Sequence, residues 1–427
     1  MTDHAQAARD NRYFVSIFII GVLFFIFGFV TWLNGPLISF VKLAFDLDDI
    51  NAFLVPAAFY LSYLFLALPS SWILRRTGMK KGLALGLFVM AIGAAVFGEF
   101  TTLRVYAGAL TGLFVIGGGL ALLQTAANPY ISILGPIESA AQRIAVMGIC
   151  NKFAGMLAPI VLGALVLHGM DDFDQQVQAA ATPEARDAIL DTFAAQIHVP
   201  YLVMAGILAL LAVWVVRSAL PEVRASEDNA DRASARHGDI LRFPHLWLGV
   251  LCLFLYVGVD VMAGDAIGTY GQGIGLPLGE SSHFTSYTMF AMLVGYLAGL
   301  ALTPRFVSQQ RYLAFSAALG VLLTLAAWAT SGHVSVACVA ALGFANAMMW
   351  PAIFPLAIRG LGRYTELGSA ILVMGIVGGS LIPQAFVHLK QHIDIQLAFL
   401  LVMAPCYLYI LYYGWRGHRI GNTANAG

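Results

Sequence analysis

The chain has 427 residues, of which 59% are hydrophobic and only 11% charged, with Lys+Arg and Asp+Glu balanced at 23 each. Soluble domains carry about 25% charged residues, so water is not the main solvent of this chain, and a net charge of zero gives no footing for nucleic-acid binding. Four cysteines, Cys150, Cys252, Cys338 and Cys406, stand singly inside apolar runs, without the paired spacings that disulfides or a zinc site need.

A bilayer core about 30 Å thick asks for about 20 consecutive apolar residues per helix. Taken in chain order, such windows centre near Phe24, Leu61, Met90, Phe114, Leu157, Leu208, Tyr256, Leu293, Leu322, Ala345, Val373 and Leu401. The runs are continuous rather than alternating, which excludes a transmembrane β-barrel. The first, Tyr13 to Phe40, is too long for a signal segment and lacks a small-residue cleavage site, so it reads as a retained helix. The expected fold is therefore all-α and integral to a membrane, with twelve transmembrane helices in two pseudo-symmetric six-helix bundles. Residues 1–217 form the first bundle, 218–243 a charged linker poor in apolar residues, and 244–427 the second.

Threading from a cytoplasmic N-terminus sorts the basic residues. The inner loops receive Arg9, Arg12, Arg75, Arg76, Lys80, Lys81, Arg143, Arg217, Arg224, Arg232, Arg236, Arg242, Arg305, Arg311, Arg359, Arg363, Arg416 and Arg419, and the outer loops only Lys42, Arg104, Arg186 and Lys390. That bias is the positive-inside pattern, and it places both termini in the cytoplasm of a bacterial inner membrane. The segment Gly169–His198, acidic through residues such as Asp171 and Asp191, reads as an outer loop between helices 5 and 6. Helix 5 and helix 11 also repeat one another: Val146-Met147-Gly148-Ile149 with Gly155 to Pro159, against Val373-Met374-Gly375-Ile376 with Gly379 to Pro383. Weak symmetry of this kind between halves points to a site at their interface.

One basic residue, Lys152, falls within a hydrophobic run, together with two acids, Asp260 and Asp265. Charges at the bilayer centre cost about 2.5–3.5 kcal/mol on insertion scales, so they face a cavity and have partners. At about 1.5 Å per residue, Lys152 lies roughly 16 Å into helix 5 and Asp260 about 24 Å into helix 7. Lys152 and Asp260 belong to different halves, so a contact between them would form and break as the halves rock; the alternative is a static pair. Asp265, nearer the outer surface, reads as solvated. Gln124 and Asn128 are four apart on one face of helix 4, and with Asn34 and Asn151 they supply uncharged donors and acceptors suited to sugar hydroxyls. Each amide has an alternative reading as an interhelical hydrogen bond, worth about 0.6 kcal/mol. Trp350, and less so Trp32, offers a flat face to a pyranose; Tyr130, near the inner end, reads as packing. No nucleophile and base pair, metal spacing or phosphate loop is present, so no enzyme is expected.

The run Gly117-Gly118-Gly119-Leu120-Ala121-Leu122-Leu123-Gln124-Thr125-Ala126-Ala127-Asn128-Pro129-Tyr130, followed by Leu134-Gly135-Pro136, closely resembles helix 4 of the fucose permease group of the major facilitator superfamily. Phe24-Phe25 with Gly28 and Asn34, Ala58-Phe59-Tyr60, Tyr256-Val257-Gly258, Gly368-Ser369 and Gly378-Gly379 extend the likeness over essentially the whole chain. The inner loops Leu74 to Lys81 and Thr303 to Arg311 resemble degraded copies of the superfamily's short basic loop. The resemblance implies a secondary sugar importer working by alternating access, driven by protons or sodium, with fucose, galactose, glucose or N-acetylglucosamine as cargo. A monomer is expected, with no cofactor and no partner beyond the sugar and the lipid bilayer. The fucose permease looks to carry acids at the positions of Gly35 and Gln124, so its coupling pair does not carry over. The stretch Asn151-Lys152-Phe153-Ala154-Gly155 with Asp260 is similar to the glucose, galactose and N-acetylglucosamine branch. The expected site is therefore Asn34, Gln124, Asn128, Asn151 and Trp350 for the sugar, with Lys152 and Asp260 gating or coupling. An L-fucose symporter, an uncoupled facilitator, a drug/proton antiporter and a non-transporting sensor remain the alternatives.

Overall fold

The computed structural model describes residues 2–133, 140–166, 176–177, 179–180, 182–222, 237–303, 305–361 and 364–421. Among them the regular structure is helical, as lipid demands of a chain that must satisfy its backbone groups internally. Among the described residues, twelve helices are long and apolar enough to cross a membrane: α1 Tyr13–Ala44, α2 Asp49–Thr77, α3 Met79–Thr102, α4 Tyr106–Ala127, α5 Arg143–Val166, α6 Pro183–Arg217, α7 Pro244–Gly264, α8 Leu278–Leu302, α9 Gln309–Ala329, α10 Gly332–Ile358, α11 Leu367–Leu389 and α12 Ile395–Trp415. Every predicted window falls on one of them. The segment read as an outer loop before α6 is partly helical, because Thr182 caps Pro183–Ala195 by accepting from the Ala185 amide, and Leu190, Phe193 and Ala194 bury their apolar face. The acids at 171–174 lie outside the described residues.

The packing repeats between the bundles. In the first, α1 lies on α5, α2 on α4 and α3 on α6; in the second, α7 lies on α11, α8 on α10 and α9 on α12. The bundles meet along α5 with α8 and α2 with α11, again a symmetric pair. Several crossings bring backbones into close contact, two of them most tightly. A Cβ at Gly28 of α1 would overlap the Asn151 carbonyl of α5, and one at Gly378 of α11 would overlap the Phe254 carbonyl of α7. Small residues at such crossings are what lets apolar helices pack in lipid, where the hydrophobic effect gives no drive for association. Large apolar side chains such as Phe65, Leu210 and Phe315 remain exposed on the outer surface, suited to acyl chains.

An even number of spans sets the start of α1 and the end of α12 on one face of the bundle, the terminal face. At the opposite face the bundles are clasped: Asp49 of α2 takes Lys390, just past the end of α11, and, at 2.7 Å, Lys42 of α1. Gln384 donates to the Ile50 carbonyl at 3.3 Å, and Gln272 donates to the Ser39 hydroxyl at 3.3 Å.

Candidate functional site

The first helix of each bundle breaks at a corresponding place. In α1 the helix stops at Trp32 and restarts at Asn34; α7 stops at Gly264, and a short helix, Ile267–Gly273, follows. A break frees carbonyls, and nearby side chains occupy them. Asn34 donates to the Thr31 carbonyl at 3.1 Å, while Thr31 back-bonds at 2.8 Å to the Phe27 carbonyl one turn earlier in the helix. From α8, Thr285 donates to the Gly264 carbonyl and Thr288 to the Ala263 carbonyl, each at 2.7 Å. These breaks meet at the half interface, where a Cβ on Gly264 would touch the Trp32 ring, and α10 is likewise interrupted between Asn346 and Met349.

Lys152 of α5 and Asp260 of α7 meet there, Nζ to Oδ2 3.9 Å, both buried. The pair links the two bundles. The ammonium also stands over the Trp32 ring, 4.4 Å from its centroid, a cation–π contact worth about 2 kcal/mol when desolvated. Trp32 fits only because Gly155 of α5 and Gly264 of α7 leave room, since a Cβ on either would overlap the indole. Met289, Met292, Tyr296 and Met348 close the pocket around it. On the other side, Asp260 Oδ1 accepts from Asn346 Nδ2 at 3.3 Å, and Asn346 Oδ1 accepts from the Tyr407 hydroxyl at 2.8 Å. The carboxylate therefore has a donor from each bundle.

The remaining predicted residues surround this centre unevenly. Gln124 donates to the Tyr63 hydroxyl at 3.1 Å and lies among Leu23, Phe24, Phe27, Leu123 and Ala127. Trp350 is partly buried, stacked on Phe354 at 6.0 Å between centroids and 6.5 Å from Tyr256. Asn151 lies at the α1–α5 crossing and donates at 3.4 Å to the Phe24 carbonyl. Asn34 is wholly buried in the α1 break. The side chain of Asn128 lies outside the described residues. Tyr130 packs as expected, its hydroxyl donating at 2.7 Å to the carbonyl of Pro221.

Asp265 corrects the sequence reading. It is 1% exposed rather than solvated, because the chain does not leave the bundle after α7: the short helix Ile267–Gly273 and the second part of α1 cover it. Asn346, Tyr407 and Tyr63 escape the sequence reading, as does the contact of Tyr60 with Asp265. The amide of Asn346 was visible in an apolar run ahead of Trp350-Pro351, but its partner comes from α12, which no local pattern gives.

The chain matches the Major Facilitator Superfamily pattern over residues 20–383. It is 34% identical over 419 residues to a glucose/galactose transporter of Brucella abortus, covering 97% of each chain. It is 28% identical over 383 residues to the L-fucose-proton symporter of Escherichia coli, covering 88% of this chain and 87% of that one. Among solved structures, the transporter FucP in its outward conformation superposes with a TM-score of 0.74 at 26% identity, over 95% of this chain and 99% of that one.

Proposed function

This chain belongs to the Major Facilitator Superfamily, and we propose that it imports a neutral hexose by alternating access, coupled to a cation. The observation that carries the reading is the Lys152–Asp260 contact at 3.9 Å across the two bundles. Such a contact holds when the halves meet over the chamber and parts when they rock, so cargo and coupling share one moving element. Glucose and galactose are favoured over fucose by the higher identity to a protein named for them and by Gly35 and Gln124 standing where the fucose permease looks to carry acids.

In this reading Gln124, Asn34, Asn128 and Asn151 bind sugar hydroxyls as the chamber opens, and Trp350, backed by Phe354, faces the C–H side of the ring. Residues 1–217 and 244–427 are the two moving bundles, joined by 218–243. The terminal face is cytoplasmic, the clasp through Asp49 and Lys390 closes the chamber from the periplasm, and one chain in the bacterial inner membrane suffices.

Labelled glucose and galactose enter inside-sealed vesicles carrying this chain, faster and to a higher level under an imposed gradient of protons or of sodium. Equal uptake in every condition removes the coupling and leaves a facilitator. Gln124→Ala raises KM for hexose roughly tenfold, the effect of about 1.4 kcal/mol for one lost hydrogen bond, with kcat little changed. An unaltered KM takes Gln124 out of the sugar site.

A further inference from the structure

Among the described residues, three acidic or basic side chains are buried away from the terminal face: Lys152, Asp260 and Asp265. The other buried ones in the described residues, Arg143, His245 and His418, stand at helix ends on the terminal face. One base faces two acids, so a single negative charge is left over in a site with little water. An isolated carboxylate in such surroundings takes a proton or a cation.

Geometry decides which carboxyl holds it. Asp260 is served by Lys152 and Asn346. Asp265 has no base at bonding distance: its Oδ2 accepts from the Tyr60 hydroxyl at 3.5 Å, and its buried Oδ1 has no side-chain partner and faces the backbone N–H of Gly35. That oxygen points at the α1 break, where a Cβ on Gly35 would stand 3.3 Å from it and 2.6 Å from the Thr285 hydroxyl oxygen. The charged or titratable groups around Asp265 are Tyr60 from α2, Lys152 from α5 and Asp260 on α7 itself. From α1 and α8 the neighbours are Gly35 and Thr285. Asp265 thus lies where both bundles meet, and rocking them apart opens it to water.

We propose that Asp265 is the proton-carrying group of this transporter, distinct from the Lys152–Asp260 pair and placed beside it at the half interface. The carboxylate takes one proton at Oδ1 from the side where sugar enters, crosses as the neutral acid, and returns the proton to water on the other side; no electrons move. A proton is favoured over sodium because a hard cation wants a cage of about six oxygens, and the neighbours set at this carboxyl are the Gly35 backbone, the Thr285 hydroxyl and the Tyr60 hydroxyl. The inference rests on the transport reading for its role in coupling, while the protonation itself does not.

Two measurements test it. In proteoliposomes, Asp265→Asn loses hexose accumulation driven by a pH gradient, and loses hexose-driven proton uptake, by at least tenfold, while hexose counterflow continues; Asp265→Glu restores coupling with a displaced pH midpoint. Accumulation and proton uptake at the parental level in Asp265→Asn, or accumulation that follows sodium and ignores pH, overturns the proposal. In the purified protein, infrared difference spectra between acid and alkaline buffer carry a protonated-carboxyl stretch that Asp265→Asn removes and Asp265→Glu displaces in frequency. A stretch unmoved by Asp265→Glu puts the proton on another carboxyl and overturns the proposal even if the cargo is no hexose. Absence of all hexose movement with the infrared response intact removes the transport reading alone.

Discussion

Asp260→Asn accumulates no hexose above the external concentration, at least tenfold below the parent protein, yet still exchanges internal for external sugar. The reason is the asymmetry between keeping and breaking a buried pair. Removing one partner costs about 3–5 kcal/mol, because the other charge stays buried without compensation, and at about 4 Å with an effective dielectric of about 20 the attraction itself is about 4 kcal/mol. That energy is present when the bundles close and absent when they part, so its loss changes the balance between the two conformations. It also removes the surplus acid, since Lys152 then faces Asp265 alone and the empty carrier reorients without a proton. Asn still accepts from the Asn346 amide, so the Asn346–Tyr407 bond keeps α10 and α12 in place and the fold survives. Concentrative uptake at the parental level in Asp260→Asn would remove the pair from coupling and leave it a static neutraliser.

The second large effect is on folding. Gly378→Val abolishes monodisperse protein in detergent, and Gly28→Val does the same, because a branched side chain at either position meets a neighbouring backbone carbonyl, which cannot rotate away as a side-chain tip can. The helices must separate by more than a methyl width, and the packing that holds apolar helices together falls with distance. Gly206→Val is the control: nothing lies within 4 Å of a Cβ there, and its yield and melting temperature stay at the parental values. A folded, active Gly378→Val protein would mean that the α7–α11 crossing is looser than described.

Much of this architecture is legible in the residues because lipid leaves the chain little choice. Twelve continuous apolar runs become twelve spans, and the helix 5 and helix 11 repeat reappears as symmetric contacts of α5 with α8 and α11 with α2. Lys152 and Asp260 are legible for the same reason: a charge in an apolar run demands a partner, and each was the main candidate for the other. What the chain hides is set by tertiary contacts. Asp265 reads as wet if α7 is taken as a straight rod that ends in water, and only the break after Gly264 and the returning chain make it buried. The break in α1 is paired with hydroxyl and amide donors nearby, so Asn34 fills a local backbone need as well as standing near the chamber. Trp32 was weighed as a sugar platform, and its ring instead covers the Lys152 ammonium, a placement fixed by two glycines on two other helices.

The account stands most directly on one measurement: purified protein in liposomes, labelled glucose or galactose outside, and an imposed inward proton gradient. It predicts accumulation well above equilibrium that collapses when a protonophore is added, and counterflow that persists without any gradient. Liposomes that neither accumulate nor exchange either sugar would contradict it.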